Sequence, residues 1–166
     1  NRHVATVDDT VAAAASLCPS GDAERRYRAA LHRHLAGMEA KEIDFFVNSR
    51  RLEMLNRLAG DELRRDGIEI LNVASGPFAM EFYLQLRNAR LTSFDREPRL
   101  AALHRSLTAT GLIGDSTFQV EKVEAYVAPR AFDAVIINDL FYSKHVDFYG
   151  LIDTYIGNLK PGGLLY

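Results

Sequence analysis

"ILNVASGPFAMEF", residues 70–82, is the stretch on which the fold turns. It starts as a short apolar run, passes through Ala74, Ser75, Gly76 and Pro77, and ends in a pattern with helical spacing. A run of this length bounded by turn residues reads as a buried strand, and Pro77 suits the first turn of the helix that follows. The small residues between have two meanings. They make a tight strand-to-helix connection, and they leave room for something other than protein to lie against the backbone.

Working outward, the same alternation repeats. "LTSFD" (91–95) is strand-like, and "EPRLAALHRSLTATG" (97–111) is a helix with Pro98 in its first turn and Gly111 at its stop. "STFQVEKV" predicts a third strand, "FDAVIIND" (132–139) a buried fourth, "FYGLIDTYIGNL" (148–159) a helix, and "GGLLY" the opening of a fifth strand. Strands alternating with helices mean βαβ units and a parallel sheet covered on both faces. Upstream, the chain reads as helix. Ala23, Tyr27, Ala30, Leu31 and Leu35 recur at helical spacing between Ser20-Gly21 and Gly37. A second pattern through Ile43, Phe46, Val47, Met54, Leu55 and Leu58 is expected to stop at Gly60, with a short piece over residues 61–65 leading to Gly67. The expected fold class is α/β: a doubly wound, mainly parallel sheet behind an N-terminal helical cap or lid of residues 1–66.

Bulk properties narrow the partners. A length of 166 residues suits one ordinary domain able to bury a core. A formal net charge of -2 without a basic block argues against nucleic acid or an anionic membrane as partner. The basic helix carrying Arg25, Arg26, Arg28, His32 and His34 reads as a solvated face. Cys18 is the only cysteine, which rules out an internal disulfide, argues against a cysteine-held metal and fits a reducing, cytoplasmic setting. No metal site is expected. "VAAAASLCPSG" (11–21) follows Asp8 and Asp9 and is mostly alanine, so it reads as a helix stopping before Pro19 rather than as a secretory leader. No run approaches the roughly 20 apolar residues of a membrane span. Asn1 and Tyr166 give both ends a cut look. The fifth strand would then present a bare edge, which proteins avoid, so further residues or a second copy in a homo-oligomer are expected to cover it.

Asp95 sharpens the reading of the glycine turn. It ends the second strand 19 residues after Gly76. In open α/β sheets ligands bind beyond the carboxyl ends of the strands, and a carboxylate there accepts hydrogen bonds from both hydroxyls of a ribose. Capping of the helix that begins at Pro98 is its plainer use. Ala74-x-Gly76-x-x-Ala79 loosely meets the dinucleotide fingerprint, but Pro77 has no N–H to offer a pyrophosphate. A nucleoside without phosphates, S-adenosylmethionine rather than NAD, suits such a turn better.

From Ile68 onward the ordered set of a glycine turn after strand one, an acid ending strand two, "FDAVIIND" as strand four and "LKPGGLLY" before strand five resembles class I S-adenosylmethionine-dependent methyltransferases. The resemblance implies a Rossmann-like cofactor-binding unit over residues 67–166, lacking the family's C-terminal hairpin, with S-adenosylmethionine as cofactor and S-adenosylhomocysteine as product. It implies that Asn72, Ala74, Ser75, Gly76 and Pro77 line the methionine and ribose end, that Asp95 holds the ribose with Arg96 beside the adenine, and that Val123 and Glu124 lie near the adenine edge. Asn138 and Asp139, ending strand four, would face cofactor and substrate. The chain departs from the family at Asn72, where an acid is usual, and at Ala74 and Phe78, where glycines are usual. The Phe78 ring is expected to border the cofactor's approach.

Methyl transfer depends on in-line positioning in a site that excludes water, and a base is needed only if the acceptor must lose a proton early. Asp139, Tyr142 and His145 follow strand four and are the candidates for that work. "NDLFYS" has no prolines, so it lacks the signature of amine-modifying DNA and protein methyltransferases, which favours a small-molecule acceptor. Tyr27, Phe45, Phe46 and Arg50 are candidates to touch ligand from the cap. Two other classes compete: an NAD-type oxidoreductase on a related sheet, and a non-catalytic binding or scaffold domain.

Overall fold

The computed structural model describes residues 21–38, 49–137 and 147–166. Its elements are α1 (Gly21–His34), α2 (Ser49–Leu63), β1 (Glu69–Val73), α3 (Ala79–Tyr83), β2 (Arg90–Asp95), α4 (Arg99–Ala109), β3 (Ser116–Val120), β4 (Phe132–Ile137), α5 (Phe148–Ile156) and β5 (Leu159–Leu165). The five strands form one parallel sheet in the order β3-β2-β1-β4-β5. The chain therefore starts in the middle, builds to one side, then jumps back across β1 to build the other. That reversal between β1 and β4 opens a crevice at the carboxyl ends of the strands.

Alternation along the strands sorts the core into two layers, because successive side chains leave opposite faces. Ile70, Leu91, Ala134 and Ile136 face α1 to α4 and share one apolar cluster with Tyr27, Leu31, Leu52, Leu63, Phe82 and Leu103. Leu71, Val73, Phe94, Val135 and Ile137 face the other way and share a second cluster with Phe132 at the start of β4, with Tyr126 and with Leu151 and Tyr155 of α5. The N-terminal helices thus belong to the same apolar cluster as one face of the sheet.

Several boundaries differ from the sequence expectation, and three of them have a clear physical reason. Helix α2 runs through Gly60 rather than stopping there. A side chain at Gly60 would meet Asn56 and Arg64, which hydrogen-bond to each other across it. The glycine marks close side-chain passage, not a helix end. Helix α3 ends at Tyr83, short of the nine-residue pattern, because Gln85 turns left-handed (φ 55°) and its Nε2 donates to the Phe82 carbonyl at 2.7 Å. Strand β5 begins at Leu159, so Pro161, Gly162 and Gly163 lie in an irregularity within it: Phe132 pairs with Leu159, but Ala134 already pairs with Leu164. β3 and β5 are the two edges of the sheet.

Candidate functional site

The turn between β1 and α3 is held in an unusual backbone. Ala74, Gly76 and Phe78 all have positive φ (51°, 56° and 62°), alternating with ordinary residues. Only glycine adopts this region without strain, and an L side chain there costs roughly 1–2 kcal/mol. Two of the three positions are non-glycine and coincide with those where the resemblance leads one to expect glycine, so the glycine-type backbone persists without the glycines. Packing compensates at Phe78. Its ring is fully buried, lying 5.1 Å from His104 and 5.2 Å from Phe118 between ring centroids. The expectation that Phe78 borders the ligand is thereby corrected: the ring packs into the core between α4 and β3.

Hydrogen bonds fix the turn to its neighbours. The Ser75 N–H donates to the Phe94 carbonyl at 3.0 Å, and the Gly76 N–H donates to Asp95 Oδ2 at 3.0 Å. Asp95 Oδ1 accepts from the Glu97 N–H at 3.0 Å, so this carboxylate both ties the turn and caps the approach to α4. Each oxygen retains a further lone pair. From the other side, Tyr27 of α1 donates its hydroxyl to the Pro77 carbonyl at 2.8 Å, with its ring stacked on Phe82 at 4.2 Å. At the exit of β3, the Glu121 N–H donates to the Asp95 carbonyl at 3.0 Å, which brings the following segment alongside. Val123 there is half-buried, its carbonyl accepting from the Tyr155 hydroxyl at 3.1 Å, and Glu124 is exposed.

The structure therefore gathers Ala74, Ser75, Gly76, Pro77, Asp95, Arg96, Val123 and Glu124 at the carboxyl ends of β1, β2 and β3, with Arg96 exposed. Asn72 lies deeper, 2 % exposed, with its Nδ2 donating to Glu81 Oε1 at 2.9 Å. Asn138, Asp139, Tyr142, His145, Phe45 and Phe46 lie outside the described residues, as does the side chain of Arg50.

Glu81 was not anticipated. It is 2 % exposed, and its Oε1 also accepts from the Ser93 hydroxyl at 2.9 Å, while Oε2 is buried with no hydrogen-bond partner among the described residues. Burial pushes its carboxyl above the usual range, against the hydrogen bonds from Asn72 and Ser93 that pull it down. A signal for it existed. Asn72 and Ser93 are register partners on β1 and β2, two buried polar residues side by side, and such a pair calls for a polar group beside it. A second buried atom without a partner among the described residues, Ser75 Oγ, sits in the turn itself. Among the described residues no cluster of His, Cys, Asp and Glu is placed to hold a metal, and no helix is long and apolar enough to cross a membrane.

This sheet order, with the turn after β1 and the acid ending β2, is the fold of class I S-adenosylmethionine-dependent methyltransferases, and solved structures match it. Coclaurine N-methyltransferase, bound to N-methylheliamine and S-adenosylhomocysteine, matches over 96 % of this chain and 52 % of its own, with a TM-score of 0.60 and 12 % identity. The N-methyltransferase NodS from Bradyrhizobium japonicum WM9, in complex with S-adenosylhomocysteine, matches over 83 % of this chain and 70 % of its own (TM-score 0.59, 21 % identity). YjhP from E. coli matches over 68 % and 47 % (TM-score 0.55, 23 % identity). The chain spans about half the length of the first solved structures it matches. No protein-family model and no curated protein matches the chain.

Proposed function

We propose that this chain is the cofactor-binding part of an S-adenosylmethionine-dependent methyltransferase acting on a small-molecule acceptor, with residues 1–66 as cap and residues 67–166 as the cofactor unit. The observation that carries the choice of ligand is the state of the turn's donors. Ser75 and Gly76 have given their N–H groups to Phe94 and Asp95, and Pro77 has none. Three successive positions thus offer nothing to a pyrophosphate, whereas dinucleotide sites depend on such donors. What the turn does offer is the carboxylate of Asp95, with lone pairs to spare for a sugar diol.

In this reading Asp95 accepts from the two ribose hydroxyls, and residues 74–77 pack against the ribose and methionine end. Asn72 stands beneath the amino-acid end, Arg96 lies beside the adenine, and Val123 and Glu124 flank its edge. Asn138 is the candidate to contact cofactor and substrate together. When bound, the cofactor would supply an electrophilic methyl on a sulfonium, with the thioether as its leaving group. The residues after β4 then hold the acceptor in line, with Asp139 or His145 receiving its proton where one must leave, and Tyr142 orienting it. Partners in this reading are the acceptor and a strand or second copy covering the β5 edge, in a cytoplasmic protein.

The fold of the neighbours and the acid ending β2 support this reading over an NAD-type oxidoreductase. Calorimetric titration with S-adenosylhomocysteine and with NAD tests it. Saturable binding of the first and none of the second is the expected outcome; the reverse rejects the proposal, and binding of neither favours a scaffold domain.

A further inference from the structure

The buried acid under the turn has a consequence for what the site accepts. A carboxylate taken out of water with one oxygen unpartnered is costly, and two escapes exist: it holds a proton, or a cation comes close enough to compensate it. Among the described residues no Lys or Arg side chain hydrogen-bonds to Glu81; its partners are the neutral Asn72 and Ser93. The fold has therefore placed a buried carboxyl at the carboxyl end of β1 and β2 with no cation among its hydrogen-bond partners in the described residues. A cationic ligand group brought close favours the ionised form of that carboxyl, and an anionic one disfavours it.

We infer that Glu81 is the charge complement for a cationic group of the ligand, acting through the amide of Asn72 as a positioning residue for the α-ammonium of the methyl donor; this rests on the cofactor reading above. The chemistry is specific to the pair. Because Glu81 accepts from Nδ2, the amide is fixed in one of its two orientations and Oδ1 is left as its acceptor. An ammonium bonded to that oxygen lies one residue from the buried carboxylate. Asn72 alone, which cannot carry charge, and Glu81, which sits on α3 rather than on the strand, together do the work of an acid at position 72.

The test separates the two ends of the ligand. Glu81→Gln keeps the shape and an acceptor oxygen for Asn72 and Ser93 but removes the charge. It is expected to weaken S-adenosylhomocysteine about tenfold while changing 5′-methylthioadenosine, which lacks the amino-acid end, by less than about twofold. The swapped variant N72D/E81Q exchanges carboxylate and amide across the same hydrogen bond and is expected to recover the lost affinity. Thermal melts and 5′-methylthioadenosine binding report on the fold of each variant. Equal weakening of both ligands, unchanged S-adenosylhomocysteine affinity, or no recovery in the swap overturns the inference. If the unsubstituted protein binds 5′-methylthioadenosine and S-adenosylhomocysteine but Glu81→Gln changes neither, the cofactor reading stands and this inference alone falls. If it binds neither ligand, both fall.

Discussion

The two ends of the sheet are built from opposite materials. Where the strands begin, charges meet in the open: Lys160 of β5 lies 2.8 Å from Glu69 of β1 and 3.0 Å from Asp133 of β4, with Arg130 3.4 Å from Glu69. The Glu69 N–H also donates to Asp133 at 2.9 Å. Every group there has a partner and a share of solvent. Where the strands end, two non-glycine residues are left-handed, an acid is buried, and Ser75 Oγ and Glu81 Oε2 have no partner among the described residues. A parallel sheet brings all its strand exits to one edge, so the turns that can touch a ligand converge there. Strain and unmet polarity collect at such places and are tolerated because the surrounding packing over-determines them. The lesson is one of division: one end closes β1, β4 and β5 together with cheap pairs, and the other keeps groups in reserve.

The largest effect should come from the packing that holds the strained end. Phe78→Gly relieves a left-handed side chain, worth roughly 1–2 kcal/mol, but empties a fully buried ring site, which costs about 3–5 kcal/mol. The cavity wins. Denaturant unfolding should show a net loss of about 3 kcal/mol, and a stabilised variant would mean that the ring carries little of the packing. Next comes Asp95→Ala, which removes the acceptor for Gly76 and Glu97 along with the proposed sugar contact. Affinity for S-adenosylhomocysteine should fall about 30- to 100-fold, in keeping with the loss of charge-assisted hydrogen bonds. An unchanged affinity by calorimetry would leave Asp95 as a helix cap and nothing more.

Ala74→Gly isolates the strain itself. Here no ring is lost, the relief is roughly 1–2 kcal/mol and the added chain entropy of glycine costs about 0.4–1 kcal/mol. A small gain of about 0.5–1 kcal/mol is expected in the same unfolding assay; destabilisation would show that Ala74 contributes contacts exceeding its strain. The smallest effect belongs to the other end. Lys160→Met should lower the melting temperature slightly at low salt, the difference fading in about 1 M salt. Its pH dependence has a definite sign. The Lys160 hydrogen bond holds Glu69 below the usual carboxylate range, and the Glu69 N–H followed by Lys160 does the same for Asp133. Stability from such lowered groups is present above their unfolded values and is lost as pH falls through the folded ones. The two proteins should therefore converge in acid below about pH 4. Glu81 runs the opposite way: its raised carboxyl removes stability as pH climbs from the ordinary glutamate value through the folded one.

Much of this was written locally. The alternation of β-type runs with helical patterns gave the five strands and the parallel sheet, and the apolar strand ending in Asp95 pointed to a site beyond β2. The helix limits were harder, since Gly60 is as good a stop on paper as Gly37, and only the crossing of Asn56 and Arg64 over it shows why the helix goes on. The candidate site was legible where backbone geometry sets it, at residues 74–77 and at Asp95. Glu81 was not legible from its own segment, because "AMEFY" carries one acid among apolar residues, and its signal lay in the Asn72–Ser93 pair, which emerges only once β1 and β2 are in register.

What the sequence determined by itself is the order and kind of the elements, since hydrophobic period and turn residues act within a few neighbours. The tertiary structure alone decided where Phe78 points, that Tyr27 of a distant helix holds the Pro77 carbonyl, and that Asn72, Ser93 and Glu81 meet. Those facts depend on which strands become neighbours and which helix lies across them. Burial, and the demand it places on every polar group for a partner, is a property of the packed chain and not of any stretch within it.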